Sequence, residues 1–148
     1  MTHRPAAALA GVLLLAAGTA LTGCAAYNDL VHHFADDAYD EAADARAALG
    51  PGAKWIPADA ADIRTRTSTR EDPDAVVQFV SGSALDPELC TPGPRMSGAA
   101  WAFDDSPDVY AVTDAYVCGE WTAVPIDDGW FAWTPNSAAE REAAGAAG

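Results

Sequence analysis

Cations are scarce in this 148-residue chain: one lysine, Lys54, and seven arginines stand against 22 Asp and Glu. The resulting formal charge of −14 excludes polyanionic partners, because nucleic acid and anionic lipid headgroups would both repel the protein body. Histidine is rarer still, with His3, His32 and His33 the full supply. A Ser-His-Asp or Cys-His relay would therefore have to draw on one adjacent pair, and the sequence holds no Gly-x-Ser-x-Gly elbow. The three cysteines, Cys24, Cys90 and Cys118, form no Cys-x-x-Cys pair, so a reactive dithiol has no signature here. No strongly apolar run reaches the ~20 residues that a bilayer-spanning helix needs. Internal repeats are absent as well.

The beginning of the chain has the form of an export signal. His3 and Arg4 precede an apolar run from Ala6 to Leu21, broken only by Gly11, Gly18 and Thr19, and Leu21-Thr22-Gly23-Cys24 follows. A charged start, a short apolar segment and a small-residue cleavage site describe a signal peptide rather than a membrane span. These residues resemble the bacterial lipoprotein signal, in which Leu-x-Gly-Cys is cut before a cysteine that becomes lipidated. The resemblance implies removal of residues 1–23, a lipid anchor on Cys24, and a place on the extracytoplasmic face of the cell membrane. An ordinary secretory leader with Cys24 as an incidental thiol is the alternative. Cleavage would remove Arg4 and no acid, leaving a mature charge of −15, one more negative than the full chain. Membrane attachment then depends on the lipid. With Cys24 taken, Cys90 and Cys118 are the remaining pair in an oxidising compartment, and a disulfide is the expectation.

Behind the signal, residues 24–135 are long enough for one domain with a modest core. Apolar residues at Tyr27, Val31, Phe34, Ala38, Ala45 and Leu49 follow a near-helical period, with Asn28 as N-cap and Gly50-Pro51 as the stop. This predicts a helix of about 22 residues, roughly 33 Å long. Strands are predicted at 64–69, 75–80, 99–103, 109–118, 120–126 and 130–134, with Ser81 to Gly98 a Pro-rich loop and Asp127-Asp128-Gly129 a hairpin turn. The fold class expected is α+β: one long N-terminal helix packed on an antiparallel sheet of about five strands, with one disulfide. Residues 136–148, rich in Ala, Gly and Glu, read as a flexible tail. A weaker pattern, Trp55-x-Pro57-x-Asp59-Ala60-x-Asp62-Ile63 with a Thr-rich strand and a later Cys pair, resembles small actinobacterial lipoproteins and implies no activity.

Several constellations bear on chemistry. On a helix, His32 would face Asp36 and His33 would face Asp37, a spacing that suits a divalent metal but supplies no third ligand. Solvated histidines beside acids are the simpler reading, and no metal or cofactor is expected. Asp104-Asp105-Ser106-Pro107-Asp108 lacks the spacing of a calcium loop and reads as an acidic turn. Arg64, Arg66 and Arg70 form the one positive stretch, suited to pairing with the acidic helix or to an anionic ligand. The aromatic residues of the C-terminal half are the most informative group. They fill a core, or they leave a binding face drawn from Trp101, Tyr110, Tyr116, Trp121, Trp130 and Trp133. The function expected is therefore a non-enzymatic, lipid-anchored binding or accessory module whose partner is an envelope protein or cell-wall component. A small envelope hydrolase or metal-dependent enzyme is the alternative.

Overall fold

The computed structural model describes residues 27–71, 74–136 and 138–147, so Cys24 and the rest of the stretch read as an export signal lie outside the described residues. Its centre is a seven-stranded antiparallel sheet: β1 (Phe34–Tyr39), β2 (Ala61–Ser68), β3 (Ala75–Val80), β4 (Thr91–Pro94), β5 (Asp114–Cys118), β6 (Trp121–Ile126) and β7 (Gly129–Thr134). Their order across the sheet is β1-β2-β3-β7-β6-β5-β4. Two short helices accompany it, α1 (Ala42–Leu49) and α2 (Ala138–Ala147).

The expected 22-residue helix on a five-stranded sheet is thereby corrected. A helical turn at Asn28–His32 ends where His33 turns left-handed at φ 57°, and the chain then runs extended as β1 before α1 begins at Ala42. The reason lies across the strand pair. Asp36 stands directly opposite Arg66 and joins it in a two-pronged ion pair, Nε to Oδ1 at 2.7 Å and Nη2 to Oδ2 at 3.0 Å. Phe34, two residues before Asp36 on the same strand face, is buried beneath the same guanidinium, whose carbon lies 4.1 Å from its ring centroid. A continuous helix would have offered the sheet a face made largely of alanine, with little apolar area to bury. The helix stop at Gly50 does occur, with Gly50 at φ 83° and its N–H bonded to Arg46 O, and a tight 3-10 turn starts at Pro51.

The sheet is covered on both faces. Along β3, Ala75, Val77 and Phe79 point to an inner layer while Val76 and Gln78 point outward; along β7, Trp130 and Ala132 point inward while Phe131 and Trp133 point outward. The inner layer is closed by Ala42 and Ala45 of α1, by Ala53, Trp55 and Ile56, and by Leu85 beside the Cys90–Cys118 disulfide. The outer layer is closed by the irregular segment 95–113, which contributes Trp101, Phe103, Val109 and Val112. Two predicted strands change character here: 99–103 is not a strand, and only 114–118 of the expected 109–118 pairs. Both sections are spent as the outer cover. β4, by contrast, arises inside the expected loop as an edge strand, where Pro92 and Pro94 are tolerated because one side needs no ladder. Residues 138–147, expected as part of a flexible tail, are helical and lie against β4 and β5. Ala, Glu and Arg are strong helix formers, and Arg141 donates to Asn136 O at 2.6 Å.

Candidate functional site

Because segment 95–113 covers only part of the outer face, a cleft of about 390 Å³ stays open where β1 ends, β2 begins and β6 turns into β7. Strand alternation places Ala38, Val80 and Ile126 on this face, and they supply its apolar wall; Ile63 and Phe79 also border it, while their side chains belong to the inner core. Around this wall stand the carboxylates of Asp40, Asp62 and Asp128, for which no side-chain partner occurs among the described residues. Asp62 sits at φ 50° in an irregularity of the β2–β3 register, a left-handed conformation that Asp accepts more readily than most residues.

The fourth acid, Asp105, is engaged. Arg64 Nη2 donates to both its carboxylate oxygens at 2.8 Å, and this bonding holds the Asp105 carboxyl below its usual range. The pair also clasps the outer segment to β2, assisted by Arg66 Nη1 donating to Ala102 O at 3.0 Å. A second clasp runs through Gln78, nine-tenths buried, whose Oε1 accepts from the Ser106 hydroxyl at 3.0 Å; Ser106 Oγ in turn accepts from Phe103 N–H at 2.9 Å. Gln78 thus lines the cleft and ties down its wall. Neighbouring Tyr39 is half-buried, and burial pushes its phenol up, with the Asp37 carboxylate adding to the rise. A further hollow of about 350 Å³ shares Gln78, Asp105, Ile126 and Asp128 and extends the acidic surface toward Pro107.

The residues singled out in the sequence fall in different places. Trp121 and Trp130 are buried in the inner layer, where Trp121 packs on Trp55 at 5.7 Å and Tyr116 meets Trp130 edge-on at 5.4 Å. Trp133 is buried in the outer layer. Trp101 and Tyr116 are half-buried, and Tyr110 alone of the six is exposed, at 74%, with the Arg95 guanidinium 5.4 Å from its ring. The six do not share an open face. Cys90 and Cys118 are joined, as their pairing required. His32 stacks on Phe34 at 5.8 Å, and the strand at 34–39 removes the helical geometry that would have set it beside Asp36. Among the described residues no group of three His, Cys, Asp or Glu side chains converges as metal ligands. In the acidic turn, Asp105 ties the segment to Arg64 of β2, and Asp108 Oδ1 accepts from Tyr110 N–H at 3.0 Å within the segment itself.

Sequence reasoning missed the cleft. One signal was legible: Gln78 is the single polar side chain in the strand Ala75–Val80. The apposition of Asp40, Asp62 and Asp128 was not, since they come from three places far apart in sequence: the bend after β1, the start of β2 and the turn between β6 and β7. No protein-family model, curated protein or solved structure matches the chain.

Proposed function

We propose that this protein is a non-enzymatic binding module, exported and anchored to the extracytoplasmic face of the membrane through a lipid on Cys24, which captures an ammonium-bearing envelope component, a peptide or amino sugar, in the acidic cleft. The observation that carries this reading is the cleft itself: carboxylates at Asp40, Asp62 and Asp128, without side-chain partners among the described residues, around an apolar wall of Ala38, Val80 and Ile126. Uncompensated negative charge beside apolar surface favours a cation borne on an organic frame, which gains from both. The clasps through Arg64–Asp105 and Ser106–Gln78 hold the walls before a ligand arrives, so little ordering cost falls on binding. Export is supported by the leader's resemblance to lipoprotein signals and by the disulfide, which persists in oxidising compartments.

The test is titration of the isotope-labelled protein with a short neutral peptide carrying one free lysine, followed by backbone amide shifts. Saturable shifts are expected at Ala38 to Asp40, Val80 and Ile126 to Asp128, lost when the lysine is acetylated and weakened in Asp40→Asn with Asp128→Asn. Absence of saturable shifts in this region, or equal shifts from the acetylated peptide, removes the cleft reading.

A further inference from the structure

The first turn of the described chain exposes apolar side chains on a strongly acidic protein. Tyr27 is 57% exposed, Leu30 78% and Val31 48%, the densest run of exposed large hydrophobic residues in the described chain. The turn is mounted firmly: Tyr27 meets His32 edge-on at 5.6 Å, His32 stacks on Phe34 at 5.8 Å, and Phe34 packs on Trp101 at 5.8 Å. Its apolar tip therefore projects from the outer layer in a set direction.

We infer that this tip, Tyr27, Leu30 and Val31, inserts into the interface of the lipid bilayer and sets the tilt of the domain on the membrane. The inference rests on the proposed anchoring at Cys24, and the length of chain between anchor and tip is what names the occupant. Three peptide units separate Cys24 from Tyr27, a reach of at most about 11 Å when fully extended. A lipid on Cys24 thus brings the turn to the depth of the headgroups, where two aliphatic side chains bury their surface and a tyrosine keeps its hydroxyl in the polar layer. The contact is apolar in origin, because a body of mature charge −15 gains nothing from anionic headgroups.

The experiment uses the full-length protein, processed by its host, extracted from membranes and reconstituted in phosphatidylcholine vesicles. The thioether at Cys24 and the Cys90–Cys118 disulfide leave an introduced cysteine as the free thiol for a nitroxide label. Labels are placed at Leu30→Cys, Val31→Cys and, as an exposed reference, Tyr110→Cys. Intact mass reports the diacylglyceryl adduct separately. The expected result is the adduct together with oxygen accessibility that exceeds nickel-chelate accessibility at positions 30 and 31, by several-fold relative to position 110. An adduct with water-like accessibility at 30 and 31 overturns the inference and leaves the anchoring standing. Shielding from both reagents overturns it in favour of a protein cover, such as a second copy of the chain. A mass without the adduct overturns the anchoring and the inference together.

Discussion

Gly129 is the residue on which the join between the two halves of the sheet depends. It pairs with Val80 on one side and Ile126 on the other, and a Cβ there would stand 2.0 Å from Phe79 O and 2.9 Å from Val80 Cα. Backbone cannot retreat as a flexible side chain can, so the close approach of β3 is possible only with glycine at this site. Gly129→Ala is expected to cost about 3 kcal/mol, the upper end for overpacking, measured as a lowered urea midpoint with an unchanged slope. The hairpin turn before it was legible in Asp127-Asp128-Gly129 because turn chemistry is local. The need for glycine was not, because the clashing atom comes from a strand far upstream. Gln78 shows the same limit: its polarity stood out within an apolar strand, but the hydroxyl that it serves lies in a loop whose position the sequence does not state.

Among the elements, the outer segment 95–113 has the most to do and the least regular structure. β2 holds it through guanidinium groups: Arg64 on Asp105, with its carbon 4.8 Å from the Phe103 ring centroid, and Arg66 between Phe34 and Phe103 at 4.1 and 5.3 Å. The Thr-rich strand with its arginines was readable in sequence, and pairing with acids from residues 28–49 was the simpler of its two readings. Arg66 does pair with one, Asp36, but on a neighbouring strand rather than on a helix. The clasp carries a pH dependence whose sign follows from Arg64. Its hydrogen bonds lower the Asp105 pKa in the folded state below the ordinary 3.8, so the clasp's contribution is complete above that value and is lost as pH falls through the folded-state pKa. Protection of the amides across 99–113, taken against the intrinsic exchange rate at each pH, is therefore expected to fall at acid pH in the wild type. Asp105→Asn should exchange quickly at neutral pH already and change less on acidification; equal profiles for the two proteins would contradict the clasp.

At the scale of the whole molecule, a three-layer domain of this size is held from two sides: irregular chain on the outer face, and on the inner face a helix and turns braced by Cys90–Cys118. That disulfide closes a stretch of 28 residues which includes the entire outer cover, so it restricts the unfolded chain where the folded one has few regular hydrogen bonds. Replacing both cysteines with alanine is expected to lower unfolding free energy by about 3.5 kcal/mol in the chain-entropy treatment, read by urea denaturation of the oxidised protein and the variant. The sheet's edges are guarded differently. β1 carries Asp36 and Asp37, and β4 carries Pro92 and Pro94 with α2 alongside, and each device discourages a second sheet from pairing. By itself the sequence determined the charge, the pairing of Cys90 with Cys118, the helix stop at Gly50-Pro51, and three strands, expected at 75–80, 120–126 and 130–134 and found at Ala75–Val80, Trp121–Ile126 and Gly129–Thr134. These follow from composition, a cysteine count and short-range backbone preference. Tertiary structure alone decided that 34–39 is a strand, that four tryptophans (Trp55, Trp121, Trp130 and Trp133) are buried, and that the open surface is an acidic cleft. An apolar repeat of Ala and Phe is compatible with helix or strand until a partner such as Arg66 lies across from it. An alternating aromatic strand is equally compatible with one buried face or two, and the covering chain that chooses between them is remote in sequence.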